Sequence, residues 1–296
     1  MSANTINADL LRTMPLPQPR EGSKDERGQV LVIAGSIEVP GAASLAGTAA
    51  LRAGAGKLQV ATVRSAAVGL GLAVPEAMVI GLAETADGGV DDAAAESRLL
   101  STARKARAVL IGPGMTEGRA TTSLTAALCS GASSSSFVLD AAALCDLRPH
   151  AREVRSCEGR SVITPHAGEM AQLLEKSREE IEADPLAAAH AAAELLGAVV
   201  VMKGAQSWIV GPDGTAWLYE GGGVGLATSG SGDVLAGLVA GLLARGADAI
   251  RAALWGVHLH GEAGRRLAER DGPLGFLARD LAGEVPAMLR DLEGRG

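Results

Sequence analysis

The run Gln29-Val30-Leu31-Val32-Ile33-Ala34 stops at Gly35-Ser36. A short, β-branched apolar run with no polar alternation, closed by glycine, predicts a strand buried on both faces. Strands of that kind belong to parallel sheets covered by helices. From 41 to 53 the small residues Ala, Ser and Gly recur, and Gly54 and Gly56 end the segment. This predicts a helix packed closely on the sheet, with Gly54 at its C-terminal cap.

The same alternation continues outward. Strands are predicted over 58–63, 77–82, 108–111, 137–140, 162–164 and 199–202. Helices are predicted over 93–105, 120–128, 168–174 and 185–196, from Asp233, from Asp248 and near the C-terminus, with a polar loop at 131–136. Gly211-Pro212-Asp213-Gly214 between Trp208-Ile209-Val210 and Ala216-Trp217-Leu218 is a hairpin signal. Strands alternating with helices predict an α/β fold with a mostly parallel central sheet and helices on both faces. No internal linker stands out, so residues 28–296 are read as one catalytic domain behind a polar lead-in, residues 1–27. Ligands of such sheets gather beyond the carboxyl ends of the strands, where Gly35, Gly112, Asp140, His166 and Lys203 fall.

Composition narrows the partners. A formal charge of −7 and an aromatic share of 2% disfavour nucleic acid, which needs basic and stacking surfaces. No apolar run reaches the roughly 18 residues of a membrane helix, and the first 27 residues, with Pro15, Pro17 and Pro19, lack a signal peptide's apolar core. Cys129, Cys145 and Cys157 have no metal-binding spacing, which suits a reducing cytoplasm and buried thiols. A soluble cytoplasmic protein is expected, with neither membrane nor nucleic acid among its partners.

Two familiar phosphate motifs are absent. Gly54-Ala55-Gly56-Lys57 ends like a P-loop, but Leu58 stands where Ser or Thr would ligate magnesium and Leu51 where a glycine is needed. No complete GxGxxG follows a predicted strand. The strongest local feature is Gly221-Gly222-Gly223-Val224-Gly225-Leu226-Ala227-Thr228-Ser229-Gly230-Ser231-Gly232-Asp233, running into an apolar helix. Dense glycine before a helix lets backbone N–H groups converge on an anion. Asp233 at its mouth is either a base for a hydroxyl that attacks phosphate or the helix N-cap.

Thr164-Pro165-His166-Ala167-Gly168-Glu169 places His166 at a strand-to-helix corner, as a substrate donor or a structural group. Lys203-Gly204-Ala205-Gln206-Ser207 follows a buried strand, so Lys203 either meets phosphate or is a solvated turn residue. Asp140 either meets a magnesium–phosphate complex or sits in a turn. His258 and His260, two apart on a helix, diverge and are rejected as a metal pair.

In this order, Val32-Ile33-Ala34-Gly35-Ser36 with Gly41-Ala42, Ile111-Gly112-Pro113-Gly114-Met115, Val138-Leu139-Asp140-Ala141, the Thr164–Glu169 segment, Lys203-Gly204-Ala205, the Ser229–Asp233 loop and Leu259-His260-Gly261 resemble the ADP- or ATP-dependent NAD(P)H-hydrate dehydratases, relatives of the ribokinase-like kinases. The match spans about residues 28–292. It implies a ribokinase-like fold and a lyase that phosphorylates the added hydroxyl of hydrated NADH or NADPH and eliminates phosphate.

By that resemblance Asp233 is the base. Ala42, Gly114, His166 and Asp233 hold the hydrate; Lys203, Gly204, Ala205, Gln206, Ser207, Gly230 and Gly232 hold the nucleotide. ADP is the expected co-substrate, Mg2+ arrives with it, and no protein metal site is expected. The resemblance also implies a homo-oligomer, most simply a tetramer, working with a separate NAD(P)H-hydrate epimerase. His166 and Lys203, at different strand ends, are expected to serve separate pockets. Departures from the family are Gly223-Val224-Gly225 for Asn-Pro-Gly, Ala142 where an acid is usual, and an altered lead-in around Ser23-Lys24-Asp25. The alternatives are a ribokinase-like kinase of a vitamin precursor or sugar, and a non-catalytic nucleotide sensor.

Overall fold

The computed structural model describes residues 4–18, 24 and 26–294. In chain order the elements are β1 (Asn4–Thr5), α1 (Ala8–Thr13), β2 (Gln29–Ile33), α2 (Gly41–Arg52), β3 (Lys57–Val63), α3 (Arg64–Ala73), β4 (Ala77–Leu82), α4 (Asp92–Ala103), β5 (Ala108–Ile111), α5 (Arg119–Gly131), β6 (Ser136–Leu139), α6 (Ala151–Arg155), β7 (Ser161–Ile163), α7 (Ala167–Leu174), α8 (Arg178–Ala183), α9 (Pro185–Leu196), β8 (Val199–Met202), β9 (Ser207–Val210), β10 (Ala216–Tyr219), α10 (Ser231–Arg245), α11 (Ala249–Asp271) and α12 (Ala278–Glu293).

One ten-stranded sheet runs in the order β1-β10-β9-β8-β7-β6-β5-β2-β3-β4. From β4 to β8 every pairing is parallel, while β9 is antiparallel to both β8 and β10. The predicted hairpin is therefore the antiparallel exception, and the Asp213 carboxylate closes its turn on the Thr215 N–H at 3.0 Å.

Successive strand residues face opposite layers, as the pleat requires. Val30, Val32, Leu110 and Val138 enter the core shared with α2, α10, α11 and α12, while Leu31, Ile33, Val109 and Ile111 enter the core under α4, α5, α7 and α9. Each such side chain contributes about 1.5–3 kcal/mol on burial, which explains why the strands read as unbroken apolar runs.

The chain leaves β2 toward β3 and β4 and returns to β5 on the other side, so the β2/β5 boundary is the topological switch point. There the Gly35 N–H donates to the Pro113 carbonyl at 2.8 Å. Gly112, at φ +120°, is required: a Cβ would stand 1.8 Å from the Asp140 carbonyl oxygen.

The expected close approach through small residues is most pronounced between two helices. A Cβ on Gly237 or Gly241 would lie 2.3 Å from the carbonyl oxygen of Ala46 or Ala50, so α10 touches the backbone of α2.

Residues 4–18 do more than lead in. β1 pairs parallel with β10, Ile6, Leu11 and Leu16 are buried in the first core, and Trp255 Nε1 donates to the Met14 carbonyl at 2.9 Å. Pro19 and, from the altered lead-in, Ser23 and Asp25 lie outside the described residues. The predicted loop at 131–136 is shorter than expected, since α5 runs through Gly131 and β6 opens at Ser136. All three cysteines are buried and free. Among the described residues no helix is long and apolar enough to cross a membrane.

Candidate active site

Three strand ends and one helix start build the site. Asp140 follows β6, His166 opens α7 beyond β7, Lys203 follows β8, and α10 brings its N-terminus to them. Lys203 is no solvated turn residue. Its Nζ lies 2.9 Å from Asp140 Oδ1 and 3.7 Å from Glu169 Oε2, and Asp140 Oδ1 also accepts from Thr164 Oγ1 at 2.6 Å. Burial opposes the ammonium charge, yet Asp140 and Glu169 together hold the Lys203 pKa above its ordinary value. Burial raises the Glu169 carboxyl, against the pull of Lys203.

The N-cap of α10 is Gly230, at φ +87°, and no side chain caps this helix. Asp233 is its third residue, so the alternative of Asp233 as the N-cap is set aside. The Ser231 N–H reaches the Thr228 carbonyl at 3.2 Å and the Val234 N–H the Gly230 carbonyl at 3.1 Å. Between them Gly232 and Asp233 carry first-turn N–H groups that have no acceptor within the helix, an anion-binding arrangement. Burial, then the nearby Asp140 charge, pushes Asp233 up to about 6, with Lys203 pulling the other way. A carboxylate with that pKa is largely ionised at neutral pH and basic enough to accept a proton.

His166 caps α7: its Nδ1 accepts from the N–H groups of Gly168 (2.9 Å) and Glu169 (3.2 Å), while the Glu169 carboxylate reaches back to the His166 N–H at 2.7 Å. With the Nδ1 lone pair occupied, the neutral ring carries its proton on Nε2 and serves as a donor.

A cleft of about 780 Å³ is lined by His166, Lys203, Gly204, Ala205, Ser207 and Gly232, with Tyr219, Leu226 and Val257 at its apolar end. Seven of the eleven predicted residues thus meet here or beside it, counting Asp233 next to Gly232. Gly230 lies behind the helix start, where its Cβ would meet Leu45 of α2 at 2.4 Å. Gln206 bonds Glu220 and lines an adjoining cavity of about 680 Å³ with Arg178 and Trp208. Ala42 and Gly114 meet each other at the switch point, where a Cβ on Gly114 would lie 2.6 Å from that of Ala42; neither lines the cleft.

The separation of His166 from Lys203 does not hold. They form a parallel bridge across neighbouring strand ends, and both line both cavities. Sequence spacing hides this because 36 intervening residues return the chain to the adjacent strand.

Sequence reasoning left His260 without a role. Its Nε2 lies 2.9 Å from Ser231 Oγ and 3.0 Å from the Ser231 carbonyl oxygen. His258 turns instead to Tyr219, ring centroids 5.9 Å apart. Among the described residues no three His, Cys, Asp or Glu side chains converge to hold a metal. Asp140 and Asp233 are the carboxylates beside the first turn of α10 and the Lys203 ammonium.

A mostly parallel sheet with a glycine-rich anion loop opening a helix at its carboxyl edge defines a ribokinase-like α/β protein. The chain belongs to the NAD(P)H-hydrate dehydratase family, whose profile matches residues 30–287. It is 50% identical over 290 residues to the ADP-dependent (S)-NAD(P)H-hydrate dehydratase of Xanthomonas campestris pv. campestris, covering 96% of each chain. It is 38% identical to the bifunctional NAD(P)H-hydrate repair enzyme Nnr of Moorella thermoacetica, across 92% of this chain but only 51% of that one. The crystal structure of the Bacillus subtilis ADP/ATP-dependent NAD(P)H-hydrate dehydratase, co-crystallised with ATP/Mg2+, superposes with a TM-score of 0.82 at 27% identity, covering 99% of this chain and 100% of the other. A hydroxyethylthiazole kinase from Pyrococcus horikoshii shares the fold with a TM-score of 0.60 at 16% identity.

Proposed function

We propose that this chain is an ADP-dependent NAD(P)H-hydrate dehydratase: a lyase that transfers the terminal phosphoryl group of ADP to the added hydroxyl of hydrated NADH or NADPH and then eliminates phosphate, leaving AMP, phosphate and the restored cofactor. The observation that carries this reading is the position of Asp233, half-buried beside uncapped helix N–H groups with its carboxyl pushed up to about 6. Asp233 takes the hydroxyl proton as the phosphate arrives. The first-turn N–H groups hold the transferring phosphate, and Lys203 steadies charge across Asp140 and Asp233. Magnesium would arrive with the nucleotide and would offset phosphate charge, with Asp140 and Asp233 the carboxylates near enough to face it.

The nucleotide lies in the 780 Å³ cleft, with Lys203, Gly204, Ala205 and Ser207 along it and its base toward Tyr219, Leu226 and Val257. Gln206 orients the 204–206 turn through Glu220. The hydrate enters between His166 and the Ala42–Gly114 contact, and the His166 Nε2–H donates to it. The chain works in the cytoplasm as one catalytic domain and as a homo-oligomer, most simply a tetramer, beside a separate epimerase. A vitamin-precursor or sugar kinase shares the fold and the anion loop; the 50% identity over nearly the whole chain favours the dehydratase.

The test is incubation of hydrated NADH with ADP or ATP at matched magnesium, following the return of NADH absorbance. Faster return with ADP is the expected result. No return with either nucleotide would overturn the proposal, and an equal or faster rate with ATP would overturn the ADP preference.

A further inference from the structure

The imidazole of His260 is contributed by the middle of α11, yet it reaches the first turn of α10 and borders the same cleft as Gly232 and Lys203. Its Nε2 is 3.0 Å from a carbonyl oxygen, that of Ser231. Two lone pairs at that distance repel, so Nε2 carries the proton and donates. Ser231 Oγ, 2.9 Å from the same nitrogen, is then a second acceptor of that N–H. Its own hydroxyl proton is left to point elsewhere, and among the described residues no acceptor takes it. Ser231 is the first residue of α10, buried except toward the cleft, adjacent to Gly232 and two positions before Asp233.

We infer that His260 is a positioning residue for phosphoryl transfer, its Nε2–H fixing Ser231 so that the Ser231 hydroxyl donates to the terminal phosphate beside the Gly232 and Asp233 N–H groups. The inference rests on the proposed phosphoryl-transfer reading and adds one hydroxyl donor to it. It also accounts for the packing of a half-buried imidazole against a helix start. Burial, with a smaller push from the Lys203 ammonium and against the bond to the Ser231 backbone, brings His260 down to about 4. The donor therefore stays neutral and keeps one tautomer through the working pH range. A neutral donor steadies the loop without competing with the phosphate for the helix N–H groups.

The experiment compares His260→Ala, His260→Gln and Ser231→Ala with the wild type, measuring NADH return at saturating ligands and the affinities for ADP and AMP. Wild-type turnover is the control: if it is absent, the parent reading fails, whatever the variants do. Given turnover, Ser231→Ala is expected to lower kcat by roughly 10²-fold, the low end of what one preorganised donor supplies. ADP affinity should fall several-fold while AMP, lacking the terminal phosphate, binds unchanged. His260→Ala should lose as much, and His260→Gln, whose amide N–H takes the place of Nε2–H, should recover most of it. The double variant should be no worse than the poorer single one, because the two residues act as a unit. Folded Ser231→Ala with wild-type kcat, equal losses of ADP and AMP affinity, or additive losses in the double variant would each overturn the inference.

Discussion

Lys203 Nζ and Asp140 Oδ1 lie 2.9 Å apart at the floor of the site, in a pair whose carboxylate is 2% exposed and whose charge also reaches Asp233. Breaking such a pair from one side strands a buried charge, at a cost of about 3–5 kcal/mol. Lys203→Ala is therefore expected to lower the unfolding free energy by that order in a denaturant titration, while Lys203→Ala combined with Asp140→Ala recovers part of it. Loss of activity without loss of stability in the single variant would contradict the structural half of this role.

Asp233→Asn keeps the side chain's shape and, since Gly230 occupies the cap, removes no helix cap. Turnover is expected to fall by roughly 10²–10⁴, with ADP affinity level or improved as a charge beside the phosphate disappears. A well-folded Asn variant that restores NADH at near-normal rate would sink the assignment of the base.

The acid limb of kcat/KM should centre near pH 6, where Asp233 in the free enzyme ionises. The raised pKa also sets a sign for stability. Between 3.8 and about 6 the folded chain holds this proton more tightly than the unfolded chain. The group's contribution is thus fully present below the lower value and lost as pH rises through the upper one. Unfolding titrations of the wild type and Asp233→Asn should converge in acid and diverge toward neutral pH, in favour of Asn.

For His166→Ala, the bridge to Lys203 changes what is expected. Removing the ring deletes the cap of α7, worth about 1 kcal/mol, and disturbs a strand end that both cavities share. Affinity should fall for hydrate and nucleotide together, with His166→Asn restoring the cap and the melting temperature but not hydrate affinity. A loss confined to hydrate in the Ala variant would show the two pockets to be independent after all.

The parts legible in the sequence were those that local chemistry dictates. Parallel strands buried on both faces read as unbroken apolar runs, and the helix over Pro185–Leu196 matches its predicted bounds because Pro at its start and Gly197 after it punctuate both ends. α3 was missed because Gly69 and Gly71 interrupt it and Val68 and Leu72 face outward, leaving no apolar stripe. α8 was missed although Ser177 and Glu180 form a capping box, since six residues give periodicity no room. At the site, the loop, Asp233 and Lys203 were visible as types at strand and helix ends. The pairing of Lys203 with Asp140 and of His260 with Ser231 was not, because each joins residues far apart in the chain.

The contact of Gly237 and Gly241 with the backbone of α2 makes a further demand. Either glycine replaced by alanine should cost about 1–3 kcal/mol by overpacking, read as a lower midpoint in denaturant. A neutral substitution would show that the two helices can part.

That seam also decides which portions of the molecule are able to move. α2 carries Ala42 at one end and α10 carries Gly232 and Asp233 at the other side of the same joint, so the residues proposed to hold the reacting hydroxyl and the phosphate belong to what is mechanically one block. Sliding one helix along the other would drive carbonyl oxygens into glycine α-carbons. On the opposite bank, residues 204–206, Gly221, Gly223 and Val224 are exposed and lie outside that seam, so adjustment to a ligand falls to them more readily than to the two helices.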